Sequence, residues 1–520
     1  MRHKIGSLLE DIIMVFTAVL ILIILGIVLF SKISYSCQRT FLMPEIALLG
    51  IGCFFVIILC SIGNQVEKVY VSKEKLIYIF SLILFFSQIY IFYNIYFASN
   101  QWDPAAIITV ARAIANGEVK KLDVWYSKYL SWFPNNQFIV YVFSILFKIN
   151  DKFGVLDTEN GLMLIIILQC FLSTSTGILV YKIILDIVKK SYIAWMGWGM
   201  YVVLIALSGW NVVTYTDMMG LIFPTLILRI YQKLNNTKRV WLKWLLLVSL
   251  AYWGFKIKPT AIIILIAIIV IEIIEILKSF QKEHVKKVVT ALVVSSMCIF
   301  ISSSIFDHMI NSTGIILNKE ASTGPLHMIM MGMNPENDGV WYLPDVELSE
   351  GIETKEERTR VQKEVIQQRL NDYGIAGFSR HMWKKTLIIF NDGSFAYGCE
   401  GGFFGIVYED KNDLISPFLK SIYITSERNY NKLISIEQMV WLVCLCLSGG
   451  VVFIKKGKDE LVITLSLLGI ILFNFSFEAR ARYLMLYVPF FIIAACVVVN
   501  ELSDRLTKRK KVLQCGFLDN

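Results

Sequence analysis

Charge is the first thing this chain lacks. Asp, Glu, Lys and Arg supply 18% of its 520 residues, where a soluble domain carries about 25%. Hydrophobic residues reach 56% and mean hydropathy is +0.61, and no soluble fold accounts for that balance. Polar–apolar alternation is missing too. The apolar residues run in unbroken blocks such as Ile12–Phe30, which excludes a membrane barrel. Histidine is sparse, and His3, His284, His308, His327 and His381 show no ligand spacing, so no metal centre is expected. The cysteines include no CxxC pair. Most of them (Cys53, Cys60, Cys170, Cys298, Cys444, Cys446, Cys496) lie inside apolar runs, as small core residues do. Only Cys37 and Cys399 fall in segments assigned to the outer side, and spacing does not argue a bridge between them. Internal repeats and low-complexity tracts are also missing.

What the sequence has is apolar length. A run of about 20 apolar residues matches the hydrocarbon core of a bilayer, and a helix satisfies its own backbone hydrogen bonds there. Twelve spans are expected, at 11–30, 45–63, 76–97, 161–181, 192–208, 213–231, 241–255, 259–277, 288–306, 433–454, 460–477 and 483–500. Residues 11–30 are too long and too uniform for a cleaved signal peptide. The apolar run Gln137–Ile149 is too short to cross. Its aromatic approach, Trp125, Tyr126, Tyr129, Trp132 and Phe133, suits a juxtamembrane helix at the outer interface. The expected fold class is an all-α polytopic membrane protein. Two N-terminal spans occupy 1–75. A transmembrane core covers 76–306, with its first outer loop at 98–160. An extracytoplasmic α-rich domain covers 307–432, and 433–520 holds the last spans and a basic cytoplasmic tail. Within 307–432, Thr354–Tyr373 reads as a charged helix, Phe378–Phe390 as an amphipathic one, and Ser322–Asp345 as irregular loop.

Basic residues set the orientation. With the N-terminus inside, the inner pieces are 1–10, 64–75, 182–191, 232–243, 278–287, 455–459 and 501–520, and they hold 24 Lys and Arg. The outer pieces 31–44, 98–160, 209–216, 256–258 and 478–482 hold 12 over a greater length. That is the positive-inside signature. It accounts for the net charge of +9 and leaves no role for nucleic acid. Both termini are expected in the cytoplasm.

Ionisable residues beside apolar spans are costly and mark candidate sites. Asp103 precedes Pro104 just beyond the third span; it reads as a helix N-cap, as a functional acid, or as both. Asp217 stands at the outer end of the sixth span with the same two readings. Lys256 and Lys258 share one very short outer loop. They suit either an anion such as a lipid phosphate or snorkelling to headgroups. Arg480 and Arg482 lie in the last outer hairpin, where arginine forks suit phosphate oxygens and Glu478 is placed to neutralise one of them. Two aspartates and four cations on one side suit a phosphate-bearing lipid, with a carboxylate as general base.

On these residues the chain resembles the GT-C superfamily of polyprenol-dependent glycosyltransferases, the group containing protein O-mannosyltransferases and aminoarabinose transferases. The resemblance rests on Asp103 in the first large outer loop and on Tyr129-Leu130-Ser131-Trp132-Phe133-Pro134-Asn135-Asn136-Gln137 leading into a juxtamembrane helix. It rests also on Asp217 as a second acid and on the lysines beside Pro259. Met331-Gly332-Met333-Asn334 and the terminal Glu478-x-Arg480-x-Arg482-Tyr483 resemble a Gram-positive branch of such membrane proteins. Two helices before the usual first span, and the lack of an acid adjacent to Asp103, depart from the pattern. The resemblance implies an extracytoplasmic, inverting sugar transfer from a polyprenyl phosphate, undecaprenyl phosphate in a bacterium. The acceptor would be an envelope glycan, a teichoic acid or a protein. Asp103 would be the base, and Lys256, Lys258, Arg480 or Arg482 would hold the donor phosphate. Tyr129, Trp132, Asn135, Asn136, His327, Asn334, Trp341, Tyr342 and Glu478 would contact sugar or acceptor. A single Asp helping to hold a divalent cation is compatible with it. A lipid-linked glycan polymerase and a flippase or transporter are the rival readings. A transporter predicts polar residues deep in the spans and discontinuous helices at midplane. A scaffold role would give no reason for outer cations in such short loops.

Overall fold

The computed structural model describes residues 2–67, 73–99, 101–154, 161–235, 237–399, 406–407, 409–425 and 427–518. Among them, ten helices are long and apolar enough to cross a bilayer. They are Arg2–Phe30, Glu45–Val66, Lys75–Tyr93, Leu162–Val188, Val240–Ile257, Pro259–Lys278, Lys282–Asn311, Tyr430–Phe453, Lys458–Ser476 and Ala481–Arg505. Two of the twelve expected spans are not among these ten. The 192–208 segment is a shorter apolar helix, Ser191–Ala206, whose last turn widens to π geometry at Val202–Ala206. The 213–231 segment splits into Thr216–Gly220 and Ile222–Leu234. Pro224 lacks the N–H that would bond the Gly220 carbonyl, so a hydrogen bond is lost there while the backbone at Leu221 stays helical (φ −54°, ψ −41°).

Burial separates centre from rim. The apolar window of Ala481–Arg505 is 89% buried and that of Lys282–Asn311 only 11%. The first therefore runs through the middle of the bundle, and the second presents Leu292, Phe300 and Ile301 outward as a lipid-facing helix does. Arg2–Phe30 packs against Ile263–Lys278 and Lys458–Ser476. Ion pairs Lys278–Glu10, Arg229–Asp186 and Lys190–Asp504 gather at the end of the bundle opposite Asp103.

The juxtamembrane segment forms the helix Gln137–Phe153. It buries Ile139, Val140, Phe143 and Phe147 on one face and crosses Trp102–Asn116. The third span ends earlier than 97, at Tyr93. Phe97–Ala98 then pairs antiparallel with Ile406–Val407, the one strand pair among the described residues. The Ser322–Asp345 loop is corrected as well, since it contains the helix Gly324–Gly332. The two helices expected at Thr354–Tyr373 and Phe378–Phe390 are present within Lys355–Phe390 and meet at Gly374, whose backbone is not helical (φ 55°, ψ −172°). That left-handed conformation suits glycine, which has no Cβ to clash.

Candidate functional site

Asp103 lies in the first turn of Trp102–Asn116, where the positive end of the helix dipole favours a carboxylate. The N-cap residue is Gln101, so the capping reading of Asp103 is wrong. The Asp103 carboxylate faces away to two tyrosines instead. Oδ1 accepts from the Tyr129 hydroxyl at 2.7 Å and Oδ2 from the Tyr215 hydroxyl at 2.7 Å. Tyr129 also accepts from Asn136 Nδ2 at 2.6 Å, and Asn136 Oδ1 accepts from Asn135 Nδ2 at 3.0 Å. Burial, and next the adjacent Asp103 charge, push both tyrosine hydroxyls up. They remain neutral donors. Trp102 holds φ 49°, a backbone state that non-glycine residues rarely keep away from functional sites.

Asp217 is likewise not a cap. The N-cap of its short helix is Tyr215, and the Asp217 side chain is 1% exposed. It is bound by Lys258 Nζ, and its Oδ2 accepts from Arg482 Nη1 at 3.3 Å. Arg482 lies 5.0 Å from the Tyr215 ring and 5.1 Å from the Trp102 ring, within cation–π range of both. Lys258 lies 5.2 Å from the Tyr483 ring. The Tyr483 hydroxyl donates to Glu478 at 2.7 Å, and Arg480 Nε donates to the same carboxylate at 2.8 Å. Burial pushes the Glu478 carboxyl up, and the charges of Arg480 and Arg482 more than offset that, so it lies below its ordinary range.

Asp103, Tyr215, Arg482, Asp217, Lys258, Tyr483, Glu478 and Arg480 thus form one connected chain of contacts. Two cations meet one carboxylate at Asp217, and Asp103 sits one aromatic ring away. Lys256 does not join them. It points to the other side of its helix, over the Phe306 ring at 3.8 Å. Residues 256 and 258 are separated by the helix end at Ile257, which turns the second lysine inward. Trp132 contributes its carbonyl, which accepts from Thr323 N at 3.1 Å and ties the juxtamembrane segment to 307–432. His327 is buried against Ser349, with Nδ1 2.9 Å from Oγ, and burial holds its imidazole below the usual range. Asn334 shapes a turn, its Oδ1 accepting from Glu336 N at 2.8 Å. Trp341 and Tyr342 lie outside the cluster; the Trp341 carbonyl accepts from Asn337 Nδ2 at 2.8 Å. A tyrosine hydroxyl occupies one acceptor site on each Asp103 oxygen, and no three His, Cys, Asp or Glu side chains converge among the described residues.

The sequence reading missed Tyr215, Trp102 and Tyr483 as the aromatic wall, although each adjoins an acid or cation already singled out. It also missed Lys385. That buried amine donates to the carbonyls of Gly332 at 3.0 Å and Phe477 at 2.5 Å, and burial pushes it down to about 7. Gly332 lies so close to this hairpin that a Cβ would meet the Phe477 oxygen at 2.4 Å. Gly332→Ala is expected to destabilise the purified protein by about 1–3 kcal/mol, read as a lower melting temperature in detergent.

A family model described as conserved hypothetical integral membrane protein matches residues 5–503. The chain belongs to that family. No curated protein and no solved structure matches it. Membership fixes the protein as integral to a membrane, in keeping with the ten apolar helices.

Proposed function

We propose that this family member is a membrane glycosyltransferase that moves a sugar from a polyprenyl phosphate to a cell-envelope acceptor on the extracytoplasmic side. The observation that carries the reading is the contact chain linking a half-buried carboxylate, Asp103, through Tyr215 to the Arg482–Asp217–Lys258 cluster. Lys258 and Arg482 bring two positive charges to one Asp217; with Arg480, Glu478 and Asp103 the connected set balances three cations against three carboxylates, and Lys258 and Arg482 are the groups that would meet a donor phosphate. The acceptor hydroxyl attacks the anomeric carbon and gives its proton to Asp103. The anomeric carbon–oxygen bond breaks, and polyprenyl phosphate leaves with the bond's electrons, stabilised by Arg482 and Lys258. Attack from the face opposite the phosphate inverts the anomeric centre.

Purified protein in liposomes with an undecaprenyl-phosphate-linked sugar and envelope extract should release undecaprenyl phosphate and label the acceptor. Sugar analysis of a deletion strain then names the sugar. Failure to consume any such donor would end the proposal. Sidedness has its own check: a membrane-impermeant maleimide should label Asp103→Cys from outside and Lys286→Cys only from inside, and the reverse would invert the topology.

A flippase is favoured by one feature, the π turn at Val202–Ala206 beside the buried polar set Gln88, Thr174 and Asn211. It predicts lipid-linked sugar crossing the bilayer intact, with no polyprenyl phosphate released.

A further inference from the structure

Cys37 and Cys399 are 362 residues apart in the chain and adjacent in space. The Cys399 thiol lies 3.6 Å from the Cys37 carbonyl and hydrogen-bonds the Cys37 side chain. Their neighbours fix this approach from both sides. Arg39, two residues past Cys37, donates Nε to Asp392 at 2.8 Å and Nη2 to the Tyr397 carbonyl at 2.6 Å, two residues before Cys399. Ser36, one residue before Cys37, donates its backbone N–H to Asp338 at 2.9 Å. Cys37 itself is held at φ 60°, an unusual state for a side chain. Cys37 and Cys399 both line one small cavity, which they share with Arg480.

We propose that Cys37 and Cys399 form a disulfide that clamps the segment after the first helix to the segment after the long kinked helix, beneath Arg480. The chemistry rests on the topology proposed above, in which this end of the bundle faces an oxidising space. The oxidant is a protein disulfide of an exported thiol oxidoreductase. Cys37, the exposed thiol, attacks one sulfur of that disulfide as its thiolate and releases the other as a thiolate. Cys399 then loses its proton and attacks the Cys37 sulfur of the mixed disulfide, releasing the oxidoreductase's second thiolate. Two thiols are oxidised, one disulfide is reduced, and the two protons pass to the leaving thiolates. The Cys399 thiol is pushed up by its bond to Cys37 and by burial, and the Arg39 guanidinium beside it opposes that. Cys399 thus fits the resolving role rather than the attacking one.

The test uses full-length protein with a protease site placed between Lys278 and Lys282, cut after thiols are blocked with N-ethylmaleimide in intact cells. One band without reductant in SDS, two with dithiothreitol, and two without reductant in Cys37→Ser or Cys399→Ser is the expected result. Wild-type protein that splits without reductant overturns the proposal, and copper phenanthroline on isolated membranes says why. Thiols that then cross-link fault the sidedness; thiols that still do not cross-link fault the pairing itself. The liposome assay of sugar transfer reads independently of either outcome.

Discussion

Asp217→Asn is expected to cost about 3–5 kcal/mol of stability, which is the scale for removing one partner of a buried charge cluster. Lys258 and Arg482 are each 5% exposed, and Asp217 is the carboxylate both of them contact. Neutralising it leaves two buried cations facing each other across an amide. Coulomb repulsion and lost solvation then act in the same direction. The variant should accumulate poorly in membranes and aggregate on size-exclusion chromatography. The double variant Asp217→Asn with Lys258→Met restores charge balance and should recover much of the loss. Non-additivity of this kind separates a charge effect from a simple packing defect. Equal yields for Asp217→Asn and wild type would mean that the cluster is solvated in the membrane and contributes little.

Asp103→Asn is expected to behave in the opposite way: normal accumulation, and sugar transfer lowered about 100- to 10,000-fold, the usual contribution of a positioned general base. Asparagine keeps the shape and one acceptor oxygen, so the hydrogen bond from Tyr129 or Tyr215 survives, and Asp103 is only half-buried. What is lost is the second anionic oxygen. Each carboxylate oxygen offers two acceptor sites. A tyrosine hydroxyl takes one on each, which leaves a site on each oxygen for an acceptor hydroxyl. Activity equal to wild type, measured as acceptor labelling in liposomes, would remove Asp103 from the mechanism. Loss of protein together with activity would reassign it to folding, as an anchor for the Tyr129–Asn136 network.

These contrasting expectations for two aspartates at one end of the bundle come from contacts, not from sequence. In sequence both stood near apolar helix ends, and both carried the same capping alternative. The structure separates them, because Asp217 lies beneath two cations and Asp103 beneath two tyrosine hydroxyls. The lysines show the same limit. Lys256 and Lys258 are indistinguishable by spacing, yet one lies over Phe306 and the other on Asp217. Residues two apart on a helix point to different faces, and the helix end at Ile257 then sets the backbone from which Lys258 projects, which no count of charges reports.

The sequence by itself determined that the chain is a bundle of apolar helices in a membrane, and where nearly all of them run. Hydrophobic transfer over about 20 residues is a local property, summed along the chain. It also placed the helix that begins at Gln137, the helices on either side of Gly374 and the loops between apolar helices that carry acids and cations. Only the tertiary structure decided which helices are shortened or broken, which span lies at the centre, and which acids meet which cations. Those outcomes depend on a proline's missing donor, on the crossing of distant helices and on pairwise geometry between residues up to hundreds of positions apart. Side-chain direction at such contacts is set by packing against the whole bundle, so it is not encoded in any window of the sequence.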